Sequence, residues 1–260
     1  MADLKVGITM DVLLLFFIGL FSGAYGIMVG AGGGFIFVPA LLLLFQMSPA
    51  MAAGTGLLVV LINSVSGLYG YVRQHRIEYN IGIWLSLGAI PGSVIGVWLA
   101  TIIPVNYFHG IFAIVLIGLG LFLFIKKAPV KTSDSLDGEE GKTSIPMFPM
   151  IGFGIVMGVV STFFGIGGGW LIVPVLIYLF KMSPHKATAT SIFSLSLYSA
   201  VGVGIHLYYD HIVWSTALIG GAGAFLGAQI GVYASNRVSG KLLIQLLSIL
   251  LIIIGVRMFF

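Results

Sequence analysis

The 260-residue chain contains no cysteine, which excludes disulfides, thiolate metal sites and a cysteine nucleophile. Any chemistry must use oxygen, nitrogen or backbone groups. Charge is nearly as scarce: 8% of residues are charged, against about 25% in a soluble domain, and no water-facing surface can be built from so few. The apolar segments hold almost no Asp, Glu, Lys or Arg, and Asp11 lies near the outer end of its segment. Proton pumps and many cation carriers keep a carboxylate at mid-depth. Its absence favours an anionic or neutral passenger over a metal cation. Paired aspartates, a Ser-His pair on adjacent helices and an HExxH run are missing too, so the chain does not read as an enzyme.

What remains is apolar. Hydrophobic residues make up 59% of the chain and mean hydropathy is +1.14. This predicts an all-α, polytopic transmembrane protein whose helices cross a hydrocarbon layer of roughly 30 Å. The stretch from Met10 to Tyr25 has the apolar length of a signal peptide, but Asp3 and Asp11 spoil a basic leader and the run continues, so it reads as a retained first helix. The net charge of +4 does not point to nucleic acid, because the basic residues sit in short connections where membrane orientation explains them. The 37 glycines let helices approach closely in lipid, within one chain or between two chains of a homodimer.

Two stretches repeat each other without a gap. GAGGGFIFVPALLLLFQMSPAMAAGT runs from Gly30 to Thr55, and GIGGGWLIVPVLIYLFKMSPHKATAT from Gly165 to Thr190. A shift of 135 residues superposes them. Residues 1–126 therefore read as a first transmembrane repeat, 127–145 as a charged cytoplasmic linker too polar to fold alone, and 146–260 as a second repeat. Hydropathy and breakers divide the halves into 10–29, 35–46, 50–72, 81–102 and 106–125, then 147–164, 170–180, 186–208, 213–235 and 241–259. The second segment of each half is too short for a full crossing, leaving open whether it crosses or re-enters.

Five segments per half would invert the second repeat; four crossings would leave both facing the same way. Counting Lys and Arg decides. Five segments gather Arg73, Arg76, Lys126, Lys127, Lys131, Lys142, Lys181, Lys186, Arg237 and Lys241 on one side, with only Lys5 and Arg257 opposite. Four crossings give a weaker bias. The positive side is cytoplasmic, so two inverted-topology repeats are expected, with both termini outside.

Gly32, Gly33, Gly34 and Gly167, Gly168, Gly169 fall where one helix breaks and another begins. Free amides and the positive end of a helix dipole bind anions there without formal charge; close packing or a tight bend is the competing reading. Pro49 and Pro184 open the next helix, behind Ser48 and Ser183 as N-caps. Along those helices Thr55, Asn63 and Ser66 in the first half and Thr190, Ser191 and Ser194 in the second supply polar groups, Asn63 being the least comfortable in lipid. Arg73, His75, Arg76 and His206 are candidates for the entrances, or for orientation and interfacial placement. His206, Asp210 and His211 lack a third metal ligand nearby, and no metal ion or cofactor is expected.

The two glycine-rich copies, each followed by a Ser-Pro turn and a long Ser/Thr-containing helix, resemble the TauE/SafE family of sulfite exporters over nearly the whole chain. That resemblance implies a multi-pass plasma-membrane protein of prokaryotic type that moves small sulfur-containing anions such as sulfite, generally outward. One departure is Thr190-Ser191 where the first half has Thr55-Gly56. The expectation is a secondary transporter with a midplane site; an anion channel, an intramembrane enzyme and a non-transporting membrane protein are the alternatives.

Overall fold

In the computed structural model, which describes residues 2–103, 105–125 and 147–259, ten α-helices follow one another. They are α1 (Ala2–Val29), α2 (Gly34–Leu43), α3 (Pro49–Arg73), α4 (Tyr79–Ile102), α5 (Val105–Ile125), α6 (Met147–Phe164), α7 (Gly169–Tyr178), α8 (Pro184–Tyr208), α9 (Trp214–Ser235) and α10 (Gly240–Phe259). There is no strand among the described residues. The linker 127–145 lies outside them.

Local chemistry sets the breaks. Pro49 and Pro184 stand at the first helical positions of α3 and α8, where a missing N–H costs nothing. Ser48 and Ser183 occupy the N-cap positions, but neither hydroxyl bonds a helix amide, so they cap by place and not by side chain. α2 and α7 have 10 residues each, about 15 Å at the helical rise and half a hydrocarbon layer. Among the described residues six helices are long and apolar enough to cross a membrane, five of them α3, α4, α8, α9 and the Met10–Val29 part of α1, the sixth being Gly240–Met258 of α10.

The halves interlock by exchange. α1 packs along α9, and α4 along α6. Gly19 and Gly23 of α1 correspond to Gly154 and Gly158 of α6, while Gly88, Gly92 and Gly96 of α4 correspond to Gly223, Gly227 and Gly231 of α9. At every one of these positions a Cβ would strike a backbone carbonyl of the facing helix. Small residues four apart are what bring two helices to backbone contact in lipid.

Registers give directions. Thr55 meets Val213, Ser66 meets Phe225 and Gly70 meets Val232, so α3 and α9 run parallel. α5 and α10, the fifth helices of the two halves, run antiparallel, with Gly120 beside Ile252 and Gly255 beside Ile117. α3 and α8 also oppose each other: Leu57 lies against Gly202, whereas Val60 and Leu195 meet the same glycines. Equivalent helices pointing in opposite directions are compatible with inverted repeats. The same directions gather Arg73, Arg76, Lys181, Lys186, Arg237 and Lys241 at one end of the bundle and put Arg257 at the other.

Candidate functional site

The two glycine turns meet at the centre, backbone to backbone. Gly30, Gly32 and Gly33 have φ of 80°, 79° and 79°, and Gly165 and Gly167 have 69° and 71°, a left-handed region that other residues enter only with strain. A Cβ on Gly34 would lie 2.5 Å from the carbonyl oxygen of Ile166, and one on Gly169 would press on Gly30 and Ala31. Gly32 and Gly167 both abut Val60 of α3 and Leu195 of α8. These two are equivalent under the 135-residue shift, and both are fully buried. Apolar side chains therefore stand between the turns.

Some turn amides are spent locally: those of Ala31 and Gly32 donate to the Gly26 carbonyl at 2.8 and 3.1 Å. The amides of Gly33, Gly34, Gly167 and Gly169 find no acceptor among the described residues, as expected at helix heads. They stand at the positive ends of the α2 and α7 dipoles.

Asn63 and Tyr198 are also equivalent positions, and each holds the turn of its own half. Asn63 donates its Nδ2 to the Gly32 carbonyl at 3.0 Å, while its buried Oδ1 has no partner. The Tyr198 hydroxyl accepts from the Gly168 amide at 2.8 Å. Trp170, at the head of α7, is fully buried with its Nε1 unpartnered.

The remaining hydroxyls bind helices of the two halves together. Thr55 Oγ1 accepts from the amide of Val213, and Thr190 Oγ1 from that of Glu78, both at 3.0 Å. Glu78 and Val213 are the N-cap residues of α4 and α9, so each threonine serves the opposite half. Ser191 donates to Gly30 at 2.9 Å and Ser194 to Gly82 at 3.1 Å. Ser66 donates to Phe225 at 2.9 Å and accepts from Gln229 Nε2 at 2.8 Å. Of these, only Ser191 touches a glycine turn.

The entrance candidates separate. Arg73 stacks its guanidinium 4.4 Å over the Tyr69 ring, His75 occupies a left-handed turn position, and Arg76 buries one unpartnered nitrogen. All three lie beyond the C-terminal end of α3 or at it. His206 lies at the C-terminal end of the opposing α8, fully buried rather than open to solvent.

Val60, Leu195 and Trp170 were not legible as neighbours of the glycine turns. Val60 and Leu195 carry no polar signal, and only carrying the repeat alignment through α3 and α8 would pair them.

A family model described as sulfite exporter TauE/SafE matches residues 15–258. The chain is 33% identical over 269 residues to "Probable membrane transporter protein YunE" of Bacillus subtilis (strain 168), covering 96% of this chain and 98% of that relative. It is 28% identical over 247 residues to "Probable membrane transporter protein ORF9" of a Sinorhizobium species, covering 95% and 92%. No solved structure matches it.

Proposed function

The chain belongs to the sulfite exporter TauE/SafE family, and from that premise we propose that it carries small sulfur-containing anions such as sulfite outward, by alternating access around the paired glycine turns. It is a membrane transporter; the passenger, the direction and the mechanism are our reading. The observation that carries it is the close approach of the two glycine turns at the heads of α2 and α7, where the amides of Gly33, Gly34, Gly167 and Gly169 are unpaired. An anion entering the bilayer loses hydration and needs several donors in exchange. Amides of Gly33, Gly34, Gly167 and Gly169 supply them without a fixed charge, which would hold the passenger too tightly to release it.

With Gly34 against Ile166 and Gly169 against Gly30, the centre is closed, and Val60 and Leu195 exclude water from it. Opening requires one half to rock against the other. The basic end of the bundle then faces the cytoplasm and Arg257 the outside, in the cell membrane of a prokaryote.

Purified full-length protein in liposomes loaded with radiolabelled sulfite is the test. Saturable efflux that needs no partner protein is expected. A conductance that does not saturate would make it a channel, and turnover of lipid without sulfite movement would make it an enzyme; either result ends the carrier reading.

A further inference from the structure

Two imidazoles face each other at the C-terminal end of α8. Buried His206 sets Nε2 3.1 Å from the carbonyl oxygen of Thr162 and Nδ1 3.3 Å from Nδ1 of His211. A carbonyl only accepts, so Nε2 of His206 carries the hydrogen. In the neutral ring Nδ1 is then a lone pair, and His211 must donate its own Nδ1–H to it. This leaves Nε2 of His211 as the open base of the pair.

The first half holds the same place with different chemistry. The 135-residue shift carries Ile27 onto Thr162, Tyr71 onto His206 and Arg76 onto His211. The Tyr71 hydroxyl donates to the Ile27 carbonyl at 2.7 Å, so both halves tie the end of the third helix to the end of the first. A phenol and a guanidinium keep one protonation state between about pH 5 and 8, whereas imidazoles do not. The tether by itself does not call for histidine.

We propose that the His206–His211 pair binds one proton as the co-transported ion, an inference that rests on the carrier reading above. The proton arrives at Nε2 of His211, and the bond between the two Nδ1 atoms becomes charge-assisted and shared by both rings. A second proton would set two imidazoliums face to face, so the pair holds one. Loading is felt at the broken helix, because Thr162 lies in the last turn of α6, just before the Gly165 bend.

Among the described residues, the segments of α3, α6 and α9 around the pair bring no competing charge. The first turns of α3 read PAMAAG, the last of α6 VVSTFF and the first of α9 WSTA. Within the connecting turn, Asp210 acts on His211 and the Tyr209 ring stacks on it at 5.7 Å. Burial holds the His211 imidazole below its usual range, and the Asp210 carboxylate pulls it back up. Among the described residues no group of three His, Cys, Asp or Glu side chains is placed to hold a metal ion.

The test compares the wild-type chain with H206Y/H211R, which copies the Tyr71 and Arg76 pair, and with H211Q, which leaves the His206–Thr162 tether in place. In nanodiscs, the ¹⁵N signals of labelled histidines are followed from about pH 8 to 5. One proton spread over both rings in the wild type, and lost from His206 in H211Q, is expected; two rings titrating independently overturns the site. In sulfite-loaded liposomes the ratio of wild-type to variant efflux cancels the substrate's own ionisation. That ratio should change about tenfold over the same span, and a constant ratio overturns coupling. If H206Y/H211R does not fold, H211Q carries this comparison. Wild type that moves no sulfite refutes the carrier reading, while the nanodisc titration still decides whether the proton site exists.

Discussion

Gly33 and Gly168 hold equivalent places, yet their φ values are 79° and −76°. The cause is one Cβ. A Cβ on Gly26 would collide with the Gly33 amide, and the equivalent of Gly26 is Ser161, so the second turn must take another path. Tyr198 then receives the Gly168 amide where Asn63 binds a carbonyl in the first half. Gly33→Ala meets both left-handed strain and the Ser22 carbonyl at 2.5 Å, a loss of about 2 kcal/mol or more. Gly168→Ala has an ordinary φ, and its one contact under 3 Å is with the Tyr198 hydroxyl at 2.8 Å, Met157 lying at 3.4 Å or more. Thermal melting of the two variants in detergent should rank Gly33→Ala as the less stable; equal melting would refute this account of the asymmetry. Sequence comparison shows both glycine triplets alike and gives no hint of the difference, because Ser161 acts across a fold in the chain.

Between helices, small residues decide which elements touch. Gly92 of α4 and Gly227 of α9 are equivalent, and a Cβ on either would strike a carbonyl, of Ile155 in α6 or Leu20 in α1. Alanine at either position should cost about 1–3 kcal/mol by overpacking, and by similar amounts, since the two contacts are copies. Gly152 of α6 has nothing within 4 Å of its missing Cβ, so Gly152→Ala should be neutral or gain up to about 1 kcal/mol through helix propensity and reduced unfolded-state freedom. Melting temperatures check all three, and a Gly152→Ala loss as large as that of Gly92→Ala would reject the interface assignment. Glycine's role in close packing was legible in the composition. The exchange of partners, α1 with α9 and α4 with α6, was not, because period and hydropathy describe one helix at a time.

For the molecule as a whole, the antiparallel approach of α3 and α8 puts Ser48 and Ser183 at opposite ends, and both are exposed. In a background without cysteine, Ser48→Cys should react with an impermeant thiol reagent applied to intact cells, and Ser183→Cys should react only after the cells are opened. Equal labelling of the two from outside would reject opposed halves in the membrane. The Lys and Arg bias that led to this expectation has a structural counterpart in the basic end shared by Arg73, Arg76, Lys181, Lys186, Arg237 and Lys241.

Repetition, membrane class and helix limits came from the chain alone. Apolar length, proline and glycine act on neighbours in sequence, so observed helices such as Pro49–Arg73 and Met147–Phe164 fall within one or two residues of the predicted segments. The use of each polar group was settled only by folding. Thr55 and Thr190 cap helices more than a hundred residues away, and Val60 and Leu195 come together between the glycine turns. A hydroxyl bonds whatever donor or acceptor packing brings within 3 Å or so, and that partner is fixed by how the two halves interlock.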